Sequence, residues 1–266
     1  MASSRWFPKM RFQTNEESSL AEKRRSKGGK IVKILVININ TSQSITNKMR
    51  EVIFKVKRAD SEVDVVCPKH GPASIDSSYD EAYAVPPTLE LVKEANKGDY
   101  DAILLGCFCD AGVEAAREIS DIPVIAMEEA TYALATTLGN KFGLLTETQP
   151  RVAMKELHVR RAGLLQRLAS IRALGLSTAD LDAQPEQTKS AGLTLARRMV
   201  KEDGAEVIIM GCAAMSGYSD DIERELGVPV LDPTVVSFKM TEMIADIGLC
   251  HSKIGLYHPP LPKEIK

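Results

Sequence analysis

Ala205–Tyr218 reads AEVIIMGCAAMSGY, and an earlier stretch, Tyr100–Ala115, reads YDAILLGCFCDAGVEA. Each is an apolar run with the length of a buried strand that stops at Gly-Cys and passes through small residues into a helix. Aligning Gly106-Cys107 with Gly211-Cys212 keeps the flanks in step. Cys107 is followed 16 residues later by Pro123 in IPVI, and Cys212 is followed 17 residues later by Pro229 in VPVL. Two units in the same order indicate an internal duplication with one cysteine per half.

The 266 residues suffice for one large core or two medium ones, and the duplicated pattern favours two lobes. A net charge of −2 gives no reason to expect nucleic acid as partner, and no apolar run approaches the roughly 18 residues of a membrane span. Five scattered cysteines, Cys67, Cys107, Cys109, Cys212 and Cys250, argue against a disulfide framework and for a reducing, cytoplasmic setting. Residues 1–30 carry eight Lys/Arg, three Glu and five Ser without periodicity, and read as a disordered basic extension. Organellar targeting by that leader stays open as an alternative.

From Ile31 onward strands and helices alternate. Lys33–Ile37 is a strand, Asn38–Ser42 a capping turn, and Ile45–Ala59 a helix. Glu62–Cys67 is a second strand, Pro68–Val85 reads as loop, and Pro86–Lys97 as helix. Ala102–Leu105 and Pro123–Ala126 are strands flanking a helix at Val113–Ile119, with another from Glu128 to Leu138. The second half repeats the register with a strand at Lys141–Thr146, a long helix from Pro150 to Ala169 and a weak strand at Ile171–Leu174. A helix at Glu186–Asp203, the strand Val207–Met210, a helix near Tyr218–Leu226, the strand Pro229–Leu231 and a last helix at Val235–Ile247 follow. The expected fold is α/β, with two pseudo-symmetric parallel-sheet lobes and a cleft between them. The first lobe takes residues 31–138 plus 235–266, and the second takes residues 139–234. Ligands of such sheets collect at the carboxyl ends of strands, where Asn40, Cys107, Thr146 and Cys212 lie.

A cysteine between a strand end and a helix start meets free N–H groups and the positive end of the helix dipole, which would lower its pKa. Two such cysteines across one cleft suit proton removal from one face of a carbon and delivery to the other, as a racemase requires. Buried packing is the plain alternative for one cysteine, and equivalent placement in both halves argues against it. Zinc would need ligands beyond Cys107 and Cys109, and none cluster in sequence, so no metal is expected. Pairing of a cysteine with His70, His158, His251 or His258 is not specified by any spacing. GxxxxGK[ST] and GxGxxG are absent, which speaks against a bound nucleotide.

The chain resembles the aspartate/glutamate racemase superfamily, and within it the hydantoin racemases, which include allantoin racemases. The carriers are Asn38-Ile39-Asn40-Thr41-Ser42, Gly106-Cys107-Phe108-Cys109-Asp110-Ala111-Gly112, Glu129-Ala130 and Gly211-Cys212-Ala213-Ala214-Met215. Family members typically show Asn-Pro-Asn-Thr, Cys-Phe-x-Asp-Pro-Gly, Glu-Ala and Gly-Cys-Ala-Gly-Met there. Ile39 and Ala111 stand in place of prolines, Ala214 in place of a glycine, and Cys109 is an added thiol. Amino-acid racemases of the superfamily carry Cys-Asn-Thr and Cys-Thr instead, so Phe108 and Ala213 favour the hydantoin branch.

The resemblance implies a cofactor-independent isomerase in which Cys107 and Cys212 exchange the proton of a ring carbon. It also implies substrate contacts from the N–H groups of Phe108 and Ala213 and the side chains of Asn40 and Thr146. The small molecule is a 5-substituted hydantoin or a ureide such as allantoin, and a homo-oligomer is left open. Competing expectations are a maleate-isomerase-like, arylmalonate-decarboxylase-like or amino-acid racemase activity on the same fold, or a catalytically silent small-molecule binder.

Overall fold

The computed structural model describes residues 31–262, so the expectations for residues 1–30 lie outside the described residues. Strands β1 (Val32–Ile37), β2 (Ser61–Val66), β3 (Ala102–Leu105) and β4 (Val124–Ala126) form one parallel sheet in the order β2-β1-β3-β4. Strands β5 (Phe142–Thr146), β6 (Leu168–Ala173), β7 (Val207–Met210) and β8 (Val230–Leu231) form a second, in the order β6-β5-β7-β8. Placing β5 on β1 turns one order into the other, so the repeat seen in the two Gly-Cys stretches is a repeat of topology. Helices cover both faces of each sheet, which is why the central strands AILL and VIIM are apolar at every position and wholly buried.

The helices are α1 (Gln43–Val56), α2 (Ser78–Ala95), α3 (Val113–Ile119), α4 (Met127–Leu138), α5 (Gln149–Arg161), α6 (Thr178–Ala183), α7 (Pro185–Glu202), α8 (Ser219–Leu226) and α9 (Pro233–Asp246). One apolar core runs through both lobes. It joins Val36 and Leu104 of the first sheet to Phe142, Leu144 and Val207 of the second, with Met127 and Tyr132 of α4 and Phe238 of α9 in the same cluster. Each sheet buries its other face separately, the first against α2 and α3, the second against α7 and α8. Helix α9 follows the last strand of the second sheet, yet its Glu242 accepts from Arg58 N at 3.0 Å and Ser61 Oγ at 2.6 Å, both beside β2.

Three stretches depart from the sequence reading. Helix α2 begins at Ser78, inside the expected loop, and Pro86 and Pro87 lie within it rather than at its start. Ser77 caps it by accepting from Asp80 N at 3.2 Å. The buried face of Ala84, Pro87, Val92 and Ala95 offsets the backbone bonds that the prolines remove. The long helix expected to Ala169 stops at Arg161, and β6 starts at Leu168. Gly163 takes φ +73, and the Arg167 guanidinium is held by the carbonyls of Thr136 and Gly139 at the end of α4. Helix α6 has no counterpart in that reading; Ser177 and Asp180 form a capping box that starts it.

Candidate functional site

Both Gly-Cys turns sit where a sheet ends against the opposite lobe. The amide of Gly106 donates to Ile37 O at 2.8 Å, and that of Gly211 to Leu145 O at 2.9 Å. Each turn therefore ties the end of its lobe's third strand to the end of its first. The two cysteines that follow line one cavity of about 20 Å³, together with Asn40, Phe108, Glu147 and Ala213. That is room for about one water. Polar contacts between the lobes lie around it. Thr178 Oγ1 donates to Asp76 at 2.8 Å, Arg151 pairs with Glu81 at 3.0 Å, and Lys48 Nζ donates to Ala214 O at 2.5 Å.

Among the predicted site residues, Cys107, Cys212, Asn40, Phe108 and Ala213 meet at this cavity, and Thr146 is not among its lining residues. Thr146 is fully buried and its hydroxyl donates to Glu147 Oε2 at 2.6 Å. Glu147, one position further on, takes the place expected of Thr146. Asn40 Oδ1 accepts from Asn38 Nδ2 at 2.8 Å and from Ser42 N at 2.9 Å, so the group it can offer the cavity is its own Nδ2. Phe108 packs its ring edge-on to Tyr132 at 5.7 Å, and its carbonyl accepts from the Lys155 ammonium.

The thiols are not activated in the way the strand–helix placement suggests. Helix α3 starts only at Val113, and Cys212 is followed by a 3₁₀ turn at Ala213–Met215 before α8 starts at Ser219. Neither sulfur sits in the first turn of an α-helix. The thiols of Cys107 and Cys109 share a hydrogen bond at 3.5 Å, and this neighbour together with burial pushes the Cys107 pKa well above its ordinary value. Burial does the same to Cys212, reinforced by the carboxylate of Glu147, while the N–H of Ala214 works the other way. Lys155 opposes the rise at both cysteines.

Lys155 belongs to a charged group beneath the Cys107 turn, of which the sequence reading weighed only His158 as a possible site residue. Its side chain is wholly buried, 3.4 Å from Glu128 Oε1. Glu128 also accepts from Tyr132 OH at 2.7 Å and meets His158 Nδ1 at 2.8 Å. Burial works against the charge on Lys155, but Glu128 and Glu147 more than offset it and its pKa is raised. The carboxyl of Glu128 is lowered despite burial, chiefly by Lys155 and then His158. Glu129, next in the same helix turn, is exposed and pairs with Arg117 at 2.9 Å. The other histidines are engaged elsewhere: His70 meets Glu90, His251 accepts from Val124 N, and His258 meets Pro259 O. Among the described residues no cluster of His, Cys, Asp or Glu is disposed to hold a metal ion, and no helix is long and apolar enough to cross a membrane.

Known proteins share the fold and the family of this chain. A family model described as Asp/Glu/Hydantoin racemase matches residues 34–241. The chain is 38% identical over 238 residues to a hydantoin racemase of Pseudomonas sp. (strain NS671), covering 88% of this chain and 94% of the relative. The solved allantoin racemase of Klebsiella pneumoniae superposes with a TM-score of 0.85 at 31% identity, covering 88% of this chain and 96% of that one. The allantoin racemase of Pseudomonas fluorescens gives 0.84 at 31% identity, over 88% of this chain and all of that one. The expected two-lobed fold, the family resemblance and the isomerase class are thus in place: the chain belongs to the Asp/Glu/hydantoin racemase family.

Proposed function

We propose that this protein is a cofactor-independent racemase of 5-substituted hydantoins or of a related ureide such as allantoin, with Cys107 and Cys212 as its two proton carriers. The observation that supports this most is the meeting of two cysteines, one from each topologically equivalent turn, on a single cavity between lobes. The lobes we assign are residues 31–138 plus 235–266, and residues 139–234. Phe108 and Ala213 beside the cysteines, and the hydantoin and allantoin racemases among the relatives, favour the hydantoin branch.

In this reading one cysteine, as thiolate, takes the proton from the ring carbon next to a carbonyl. The electron pair of the broken C–H bond moves into the carbonyl, and the resulting enolate oxygen is held by backbone N–H groups, for which those of Phe108 and Ala213 are the candidates. The other cysteine, as thiol, returns its proton to the opposite face and is left as thiolate. The site carries the same charge before and after, displaced from one sulfur to the other. Lys155, whose charge favours thiolate at both cysteines, serves either direction. Asn40 Nδ2 can donate to a ring carbonyl.

The test is polarimetry on a panel of hydantoins, allantoin and free amino acids, with no added cofactor. Loss of rotation with a hydantoin or allantoin is expected. Racemisation of free amino acids alone would move the substrate to another branch of the fold, and no turnover of any would overturn the reading.

A further inference from the structure

Cys109 has no part in the proton transfer proposed above, yet its thiol shares a hydrogen bond with that of Cys107 at 3.5 Å. The turn that carries both sulfurs is held closed. Cys107 O accepts from Cys109 N at 2.8 Å and from Asp110 N at 3.3 Å. Asp110, at φ +51, in turn accepts from Glu128 N and Glu129 N, both at 2.8 Å, which anchors the turn to the start of α4. The two residues border different spaces. Cys107 lines the inner cavity, whereas Cys109 lines an outer cleft of about 760 Å³, walled by Glu81, Asp110, Glu128 and His158 among others. The outer cleft borders the buried Cys109 on the side away from the inner cavity. Arg151 and Lys155 both feel the charge of Cys109, so negative charge developing there meets buried cations.

We infer that Cys107 and Cys109 form a vicinal dithiol, a modification site for thiophilic electrophiles, peroxide and trivalent arsenicals, whose closure disables the inner site. With peroxide, one thiolate attacks an oxygen, the O–O bond breaks, and a sulfenic acid and hydroxide form. The second thiol sulfur then attacks that sulfur, the S–S bond forms, and the departing hydroxide takes the thiol proton as water. In sum two thiols lose two hydrogens and two electrons, and one peroxide becomes two waters. A trivalent arsenic oxide would instead condense with both thiols and release one water. Approach from 3.5 Å to a bond of about 2.05 Å falls to side-chain rotation within the turn. The consequence for turnover rests on the assignment of Cys107 as a proton carrier; the chemistry of the pair does not.

The experiment treats the full-length protein with equimolar hydrogen peroxide, blocks free thiols and maps tryptic peptides by mass. Cleavage after Lys97 and Arg117 isolates both cysteines on one peptide, while Cys212 falls on the peptide from Glu202 to Arg224. The expected result is loss of two hydrogens within the 98–117 peptide, reversed by dithiothreitol. One phenylarsine oxide should bind per chain, and neither change should occur in Cys109→Ser or Cys109→Ala. Racemisation should fall in step by about a hundredfold or more, as for loss of a general base, and return on reduction. A cross-link between the 98–117 and 202–224 peptides, oxygen addition to the 98–117 peptide without loss of hydrogen, or an unreacted pair would overturn the inference. Because the mass change is read without substrate, it stands or falls separately from the assigned activity.

Discussion

The amide of Gly211 donates to Leu145 O at 2.9 Å, and a β-carbon at Gly211 would lie 2.3 Å from that same oxygen. The close approach that seats Cys212 over the cavity therefore requires a residue without a side chain. At the equivalent Gly106 a β-carbon would lie 2.2 Å from Met49 Cε, the end of a flexible side chain, and 3.3 Å from Ile37 O.

Gly211→Ala should accordingly destabilise the fold by about 1–3 kcal/mol, because the backbone carbonyl cannot step aside without breaking the β5–β7 pairing. Gly106→Ala should cost less, since Met49 can rotate. Gly255→Ala, with nothing within 4 Å, should stay within about 0.5 kcal/mol. Urea unfolding of the three variants measures the order.

Lys155→Met leaves Glu128 as a buried carboxylate without its ammonium partner. A loss of about 3–5 kcal/mol is expected, with partial recovery when Glu128→Gln is added. The carboxyl of Glu128 is held below its ordinary value, so its contribution is present above the unfolded pKa of about 4.3 and lost as the pH falls through the folded value. Stability of Glu128→Gln against pH should therefore fall less on the acid side than that of the wild type.

Both thiols are raised, so the reactive pair, one thiolate and one thiol, is scarce at neutral pH and grows as the pH rises. Turnover should follow a bell whose limbs belong to the pair and whose maximum lies above neutrality. Glu147→Gln removes the carboxylate that helps hold Cys212 up, so the profile should move toward lower pH. Alkylation of Cys212 at neutral pH should quicken in the same variant. A profile left in place would show that Glu147 does not act on Cys212.

The two Gly-Cys stretches carried the fold in sequence because four apolar residues with no polar interruption have few places to go except the middle of a covered parallel sheet. The cysteines were legible for the same reason: each stands directly after such a strand. What escaped the reading depends on contacts between distant segments. Glu147 follows Thr146 by one residue, and only the direction of the chain leaving β5 decides which faces the cavity. Glu128 and Glu129 are likewise adjacent, and the helical turn buries the first and exposes the second. The α2 prolines misled because the helix's own buried face compensates them only by packing on β1, β3 and α3, which lie apart from it in the chain. The direction of the thiol shifts was missed for a related reason: burial and a neighbouring carboxylate outweigh local backbone dipoles, and neither appears in a linear reading.

The most direct measurement is hydrogen exchange at the ring carbon, followed by proton NMR in deuterated water with each pure enantiomer of a turned-over hydantoin. Cys107→Ser should abolish racemisation yet still exchange that hydrogen in one enantiomer, through Cys212 on its own face. Cys212→Ser should exchange only the opposite enantiomer, and the double variant neither. Single variants that racemise at near wild-type rate, or that both exchange the same enantiomer, would contradict the placement of Cys107 and Cys212 on opposite faces of the substrate carbon.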